Sequence, residues 1–268
     1  METHFEHIEA ECNLRGFHGV SLNNTEFEQV LVGPVHDNLI DSEVVEAMLS
    51  ELTGLSETGF SESESLLADI QTLKNPTPDD LRDWRIGETL AEVTLEKKFN
   101  CRFHWNELRD SRNPNGNKTG PDLVGFFEID DSVFFLFGEV KTSSEDSRPP
   151  QVMTKLDGIE NQLINLFCSN HKRQILIAYL KSKTLDLPDE HAFKKDFKLA
   201  LRSYYGHISS YQLIGVLVRD ILPDPNDITI SFNRIKNTIL NPIGLKLIAL
   251  YTPIKKDAWR EIILSDKK

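Results

Sequence analysis

Cysteine is scarce in this chain: Cys12, Cys101 and Cys168 are the only three in 268 residues, odd in number and far apart. No Cys-x-x-Cys pair or Cys/His cluster offers a zinc site, and a disulfide framework is not expected. Cys168 ends the apolar run LINLFC and reads as a small buried hydrophobe. Long apolar runs are missing too, which leaves no candidate for a helix that crosses a bilayer. The opening METHFEHIEAEC is acidic and lacks the basic-then-apolar order of a secretory signal, so a cytoplasmic protein is expected. There is no G-x-x-x-x-G-K followed by Ser or Thr, so the chain is not itself a P-loop motor.

Positive charge is also in deficit, with a formal net charge of −12. Taken alone, that sum argues against binding nucleic acid. The charge is unevenly spread, however. Residues 1–80 hold 17 Asp and Glu against two basic residues, Arg15 and Lys74, while the other 188 residues hold 28 Lys and Arg against 25 Asp and Glu. The acidity belongs to the front third, and the remainder is near neutral and able to present a local basic groove.

What is present is an ordinary globular composition, 39% hydrophobic and 27% charged, with enough length to bury a sizeable core. Asn75-Pro76-Thr77-Pro78 interrupts regular structure and sets the expected boundary. Residues 1–78 then form an acidic regulatory or partner-docking region, and 79–268 the main domain. Ahead of the boundary, SEVVEAMLSEL has helical spacing and FEQVLVG reads as a strand. Behind it, Asp79 and Asp80 can cap a helix through DLRDWRIGETLAEVTLEKKFN, with Leu81, Trp84, Leu90, Val93 and Leu95 toward a core.

CRFHW follows as a short strand, then the turn-rich RDSRNPNGNKTG. PDLVGFFEI and VFFLFGEVKT, joined by Asp130-Asp131-Ser132, predict a β-hairpin. Further along come a helix in VMTKLDGIENQLINLF, a strand in QILIAYL and an amphipathic helix in EHAFKKDFKLALRSYYG ending on a glycine. YQLIGVLV, ITISF and LKLIALYT read as strands. The sum is an α/β layered domain with a mixed central sheet.

The hairpin carries the chemistry. With its turn centred on Asp131, residues whose numbers sum to roughly 262 face each other, so Asp122 lies beside both Glu139 and Lys141. Glu139 and Lys141 are two apart and share one strand face. Two carboxylates held together ionised call for a cation, and hard oxygen ligands suit Mg²⁺ or Mn²⁺. Such an ion activates water and neutralises charge developing on a phosphate. Lys141 would orient that water or stabilise the charge, and the Val140 carbonyl is a further ligand candidate.

Gly120-Pro121-Asp122 followed by Gly138-Glu139-Val140-Lys141 resembles the core signature of the PD-(D/E)xK nuclease superfamily. The resemblance implies a restriction-endonuclease-like αβββαβ core, a divalent metal and cleavage of phosphodiester bonds, in DNA or less often RNA. It also implies a glutamate from the preceding helix, for which Glu88 is preferred and Glu92 lies one turn on, with Gln151 and Lys155 as candidate contacts on the following helix. RIGETLAE, TGPDLVGF and GEVKTS are further similar to the HamA family, the nuclease subunits of Hachiman antiphage defence. That narrower resemblance implies DNA as substrate and a HamB-like helicase partner.

Blander readings stand beside these. A lone E-x-K is usually a salt-bridged strand edge. His104 reads as a strand-edge residue, and Asn113 to Asn117 as a turn. Lys194, Lys195, Lys198 and Arg202 line a helix face that serves either phosphate or solvent. A non-catalytic adaptor that keeps the fold and regulates a helicase is the competing function.

Overall fold

The computed structural model describes residues 1–10, 12–56, 81–104, 120–206 and 210–265. One seven-stranded mixed sheet organises them, in the order β1-β2-β7-β6-β5-β4-β3. The strands are β1 Glu2–Glu9, β2 Cys12–Ser21, β3 Cys101–Arg102, β4 Leu123–Ile129, β5 Ser132–Ser143, β6 Gln212–Arg219 and β7 Gly244–Tyr251. The central run β2-β7-β6-β5 is parallel, and the outer pairs β1-β2, β5-β4 and β4-β3 are antiparallel.

Strand alternation divides the buried residues into two cores. Leu136 and Val140 of β5, Ile214, Val216 and Val218 of β6, and Ile248 and Leu250 of β7 face one core. Over them pack helices α1 Asn24–Val30, α2 His36–Ile40, α4 Asp83–Lys98 and α10 Trp259–Ser265, through Phe27, Leu39, Leu90 and Trp259; α3 Ser42–Ser56 follows α2. Phe135 and Phe137, Leu213 and Leu217, and Leu245 and Leu247 face the other core. Helices α6 Ile159–Cys168, α7 Asn170–Lys183, α8 Ala192–Tyr205 and α9 Thr229–Ile235 cover it, after the short α5 Gln151–Thr154. Each fully buried Phe or Leu contributes about 1.5–3 kcal/mol.

The acidic front third joins this sheet. β2 pairs along β7, and Val20, Leu22 and Phe27 are buried. Arg15, 3% exposed, reaches from β2 to the backbone carbonyls of Ile239, Ile243 and Lys236 and pairs with Glu9. Glu2 and Glu6 instead decorate β1 as exposed charges, where charge discourages pairing with another chain's edge. The expected boundary at 78 lies outside the described residues.

Several segments differ from expectation, and in each the spacing of buried positions gives the reason. FEQVLVG is helical, with Phe27, Val30 and Leu31 buried on one face. QILIAYL lies inside α7, where Arg173, Ile177 and Leu180 are buried at helical intervals while Ile175 is 54% exposed. ITISF enters α9, burying Ser231, Phe232 and Ile235. The helix expected over VMTKLDGIENQLINLF is broken into α5 and α6. Trp84 is 45% exposed rather than core-facing, and Cys168 is exposed rather than buried. Asp79 and Asp80 lie outside the described residues; α4 starts at Asp83, after Arg82.

Candidate active site

The hairpin turn places the site. Asp130 and Asp131 both adopt left-handed backbone, with φ of 48° and 59°, and Ile129 pairs with Ser132. Two consecutive left-handed residues form the two-residue turn whose twist matches that of the strands, and Asp tolerates it better than most residues. The register runs from there to Leu123 opposite Gly138. Paired residues therefore sum to 261 rather than 262, because the turn is centred between Asp130 and Asp131. The next position of this register sets Asp122 against Glu139.

The face then changes character along β5. Phe135 and Phe137 are fully buried, and Glu139 and Lys141 continue the same row of side chains. The Asp122 carboxylate accepts the Val140 N–H at 2.9 Å. In a strand, one residue's N–H and C=O point to the same side, so the Val140 carbonyl also points past the start of β4, toward Asp122. Lys141 Nζ donates to Glu139 Oε1 at 2.6 Å, with the Glu139 side chain 8% exposed and that of Lys141 27%.

The electrostatics follow. Burial first, and then the charge of Asp122, push the Glu139 carboxyl up to about 7, against the opposing pull of Lys141. Burial works against the Lys141 ammonium, but the bond and charge of Glu139, with Asp122 and Glu88 behind them, hold its pKa above the ordinary lysine value. Burial and the neighbouring acid thus outweigh the lysine at Glu139. Two acid side chains and an adjacent carbonyl supply oxygen donors of the kind Mg²⁺ and Mn²⁺ take.

Glu88 is the residue of α4 whose charge is felt at Lys141. It follows Gly87, whose position is set by close approach to β5: a Cβ there would meet Thr142 Oγ1 at 2.1 Å. Across the sheet, Gly215 pairs with Glu139, and a Cβ on it would meet Ile159 Cγ2 at 2.5 Å, so α6 lies tight beside the acid. Glu92, one turn along, is partly buried. Among the described residues no group of three or more His, Cys, Asp and Glu side chains is placed to hold a metal ion.

The remaining candidates are more dispersed. The Gln151 and Lys155 side chains are exposed, and the Gln151 backbone N–H is taken by Glu145. Lys194 and Lys198 both pair with Asp189, and Lys195 with Glu190, so all three lysines of this helix face are engaged locally; Arg202 is exposed. The turn at 113–117 lies outside the described residues.

His104 belongs to a cluster that sequence reasoning missed. It stacks on Phe193 at 5.3 Å and bonds Asp196 at 2.7 Å, while Arg102 bonds both Asp196 and Glu128. The available signal was Asp196 itself, the lone acid of AFKKDFKLALRSYY, set between Phe193 and Phe197 on its apolar face. No family model matches this chain, and no curated protein matches it.

Proposed function

We propose that this chain is a divalent-metal-dependent nuclease subunit that cleaves phosphodiester bonds in DNA. The observation that carries the reading is Glu139, a buried carboxyl beside a second acid and hydrogen-bonded to Lys141. Burial and the neighbouring acid disfavour the ionised form of this carboxyl, so a site kept there spends stability on its charge. In the proposed mechanism Asp122, Glu139 and the Val140 carbonyl would hold Mg²⁺ or Mn²⁺, with Glu88 contributing from α4. Such an ion polarises a phosphoryl oxygen and lowers the pKa of bound water.

Asp122 keeps its orientation through the Val140 amide. Glu139 keeps Lys141 in place, and the Lys141 ammonium faces the charge that grows on the phosphate during attack. The resemblance of the Gly120-Pro121-Asp122 and Gly138-Glu139-Val140-Lys141 segments to PD-(D/E)xK nucleases supports the same chemistry. The longer likeness to Hachiman nuclease subunits extends the proposal to antiphage defence beside a HamB-like helicase.

Calorimetric titration with Mn²⁺ tests the reading. One site in the wild type, abolished in Asp122→Asn, is the expected result. A wild type that takes up no Mn²⁺ would overturn it in favour of a scaffold that regulates a helicase.

A further inference from the structure

Strand β7, GLKLIALY, lies between β2 and β6 and is apolar except for Lys246. The Lys246 ammonium sits 4.7 Å over the Phe127 ring, and among the described residues it has no hydrogen bond and no carboxylate within ion-pair distance. Other basic side chains packed on this sheet are matched: Arg15 by Glu9, Arg102 by Asp196, Lys141 by Glu139 and Arg219 by Asp227. Burial pushes the Lys246 amine below the ordinary lysine value, with only the Cys101 thiol acting the other way. A half-buried cation compensated by a ring alone is costly, and a strand built only for stability would carry Met or Leu at this position.

Lys246 opens onto a cavity of about 250 Å³ that is also lined by His18, Lys98, Thr3 and Phe99. His18 Nε2 is buried without a hydrogen-bond partner. Its ring is held neutral at pH 7, with a pKa lowered to about 4 by burial and by Lys246, so one ring nitrogen carries a proton to donate. Lys98 donates to Thr3 Oγ1 at 2.7 Å, near the opening. Two acids also line the cavity: Glu128 is engaged by Arg102, and the Glu6 side chain is 61% exposed, 3.7 Å from His18 Nδ1.

We propose that this cavity binds a small phosphate-bearing anion, with Lys246 as its deep positive charge and Lys98 at its mouth. Two ammonium groups, a hydroxyl and an imidazole set around one space suit a tetrahedral anion with several acceptor oxygens. The site is distinct from the carboxylate pair. Lys246 shares the sheet face of Ile248 and Leu250, whereas Glu139 shares that of Phe135 and Phe137. The anion is free phosphate, a mononucleotide, or the phosphorylated end of a strand, all of which present the same group.

Calorimetry on the full chain in EDTA, with inorganic phosphate, thymidine 5′-monophosphate and a 5′-phosphorylated oligonucleotide beside its 5′-hydroxyl form, separates these sources. Saturable one-to-one binding of at least one phosphate monoester is expected, retained in Asp122→Asn and weakened about tenfold or more in Lys246→Met. Without ligand, Lys246→Met should melt no lower than the wild type. Lys98→Gln, a change at the mouth that leaves the core intact, should weaken binding about threefold and carries the test if Lys246→Met does not fold. No saturable binding of any phosphate monoester at millimolar concentration, or undiminished binding in the folded variants, would overturn the proposal.

Discussion

The Asp122 carboxylate accepts the backbone N–H of Val140 at 2.9 Å, so the residue between Glu139 and Lys141 is tied to the acid that faces them. One carboxylate oxygen therefore serves the hairpin, and in the proposed mechanism the charge of the group serves the metal.

Asp122→Asn separates those two duties. The amide oxygen still accepts from Val140, so the variant should fold and melt within a few degrees of the wild type. Loss of the negative charge should lower metal-dependent cleavage by about a hundredfold or more, since a metal supplies several kcal/mol of charge stabilisation. Circular dichroism with a nuclease assay checks both halves, and a folded variant that retains full activity would contradict the assignment.

Glu139 makes the metal-free protein sensitive to pH. Its folded pKa of about 7 lies above the ordinary 4.5, so the fold favours the protonated form. Metal-free stability should therefore fall as pH rises from about 4.5 to about 7 and level off above that range. At pH 8, Glu139→Gln should be more stable than the wild type by at most about 3 kcal/mol. At pH 4 the difference should vanish. Denaturant melts in EDTA at both pH values read this directly.

The same proton competes with a cation. Mn²⁺ affinity should rise with pH through the region near 7, where Glu139 ionises, and the midpoint of cleavage activity should move to lower pH as Mn²⁺ is raised. A pH–rate profile whose midpoint is indifferent to metal concentration would place the titrating group elsewhere.

Gly87 should not tolerate a side chain while Thr142 stands beneath it. Gly87→Ala puts a methyl 2.1 Å from Thr142 Oγ1, which forces α4 away from β5 at a cost of about 1–3 kcal/mol. Thr142→Ala removes that oxygen and leaves the nearest remaining atom, the residue 142 Cβ, at 3.4 Å. The double variant Gly87→Ala/Thr142→Ala should recover most of the lost stability in thermal melts. Additive losses would show that the contact is not the cause.

How far the sequence reaches depends on whether a feature is local. The hairpin was legible because two turn aspartates between runs of β-branched and aromatic residues set its register to within one position, and that register brings Asp122, Glu139 and Lys141 together. Central strands β6 and β7 were legible as apolar runs, broken in β7 only by Lys246. QILIAYL, FEQVLVG and ITISF misled for the converse reason: apolar content conceals period, and only the buried positions reveal helical spacing.

Features made by residues distant in the chain left almost no trace. The contact of Gly87 with Thr142, and that of His104 with Asp196, depend on helix placement that local pattern does not encode. Lys246 was visible as the one charge in an apolar strand, but Phe127 beneath it was not.

Phosphodiester cleavage at the Asp122–Glu139–Lys141 site is the central proposal. The most direct measurement incubates the wild type and Lys141→Ala with linear and circular double-stranded DNA in Mg²⁺ or Mn²⁺, with EDTA controls. The wild type should cleave in a reaction that requires the metal, stops in EDTA and is lost in Lys141→Ala. Cleavage that persists in Lys141→Ala or in EDTA, or intact DNA in every wild-type reaction, would contradict it.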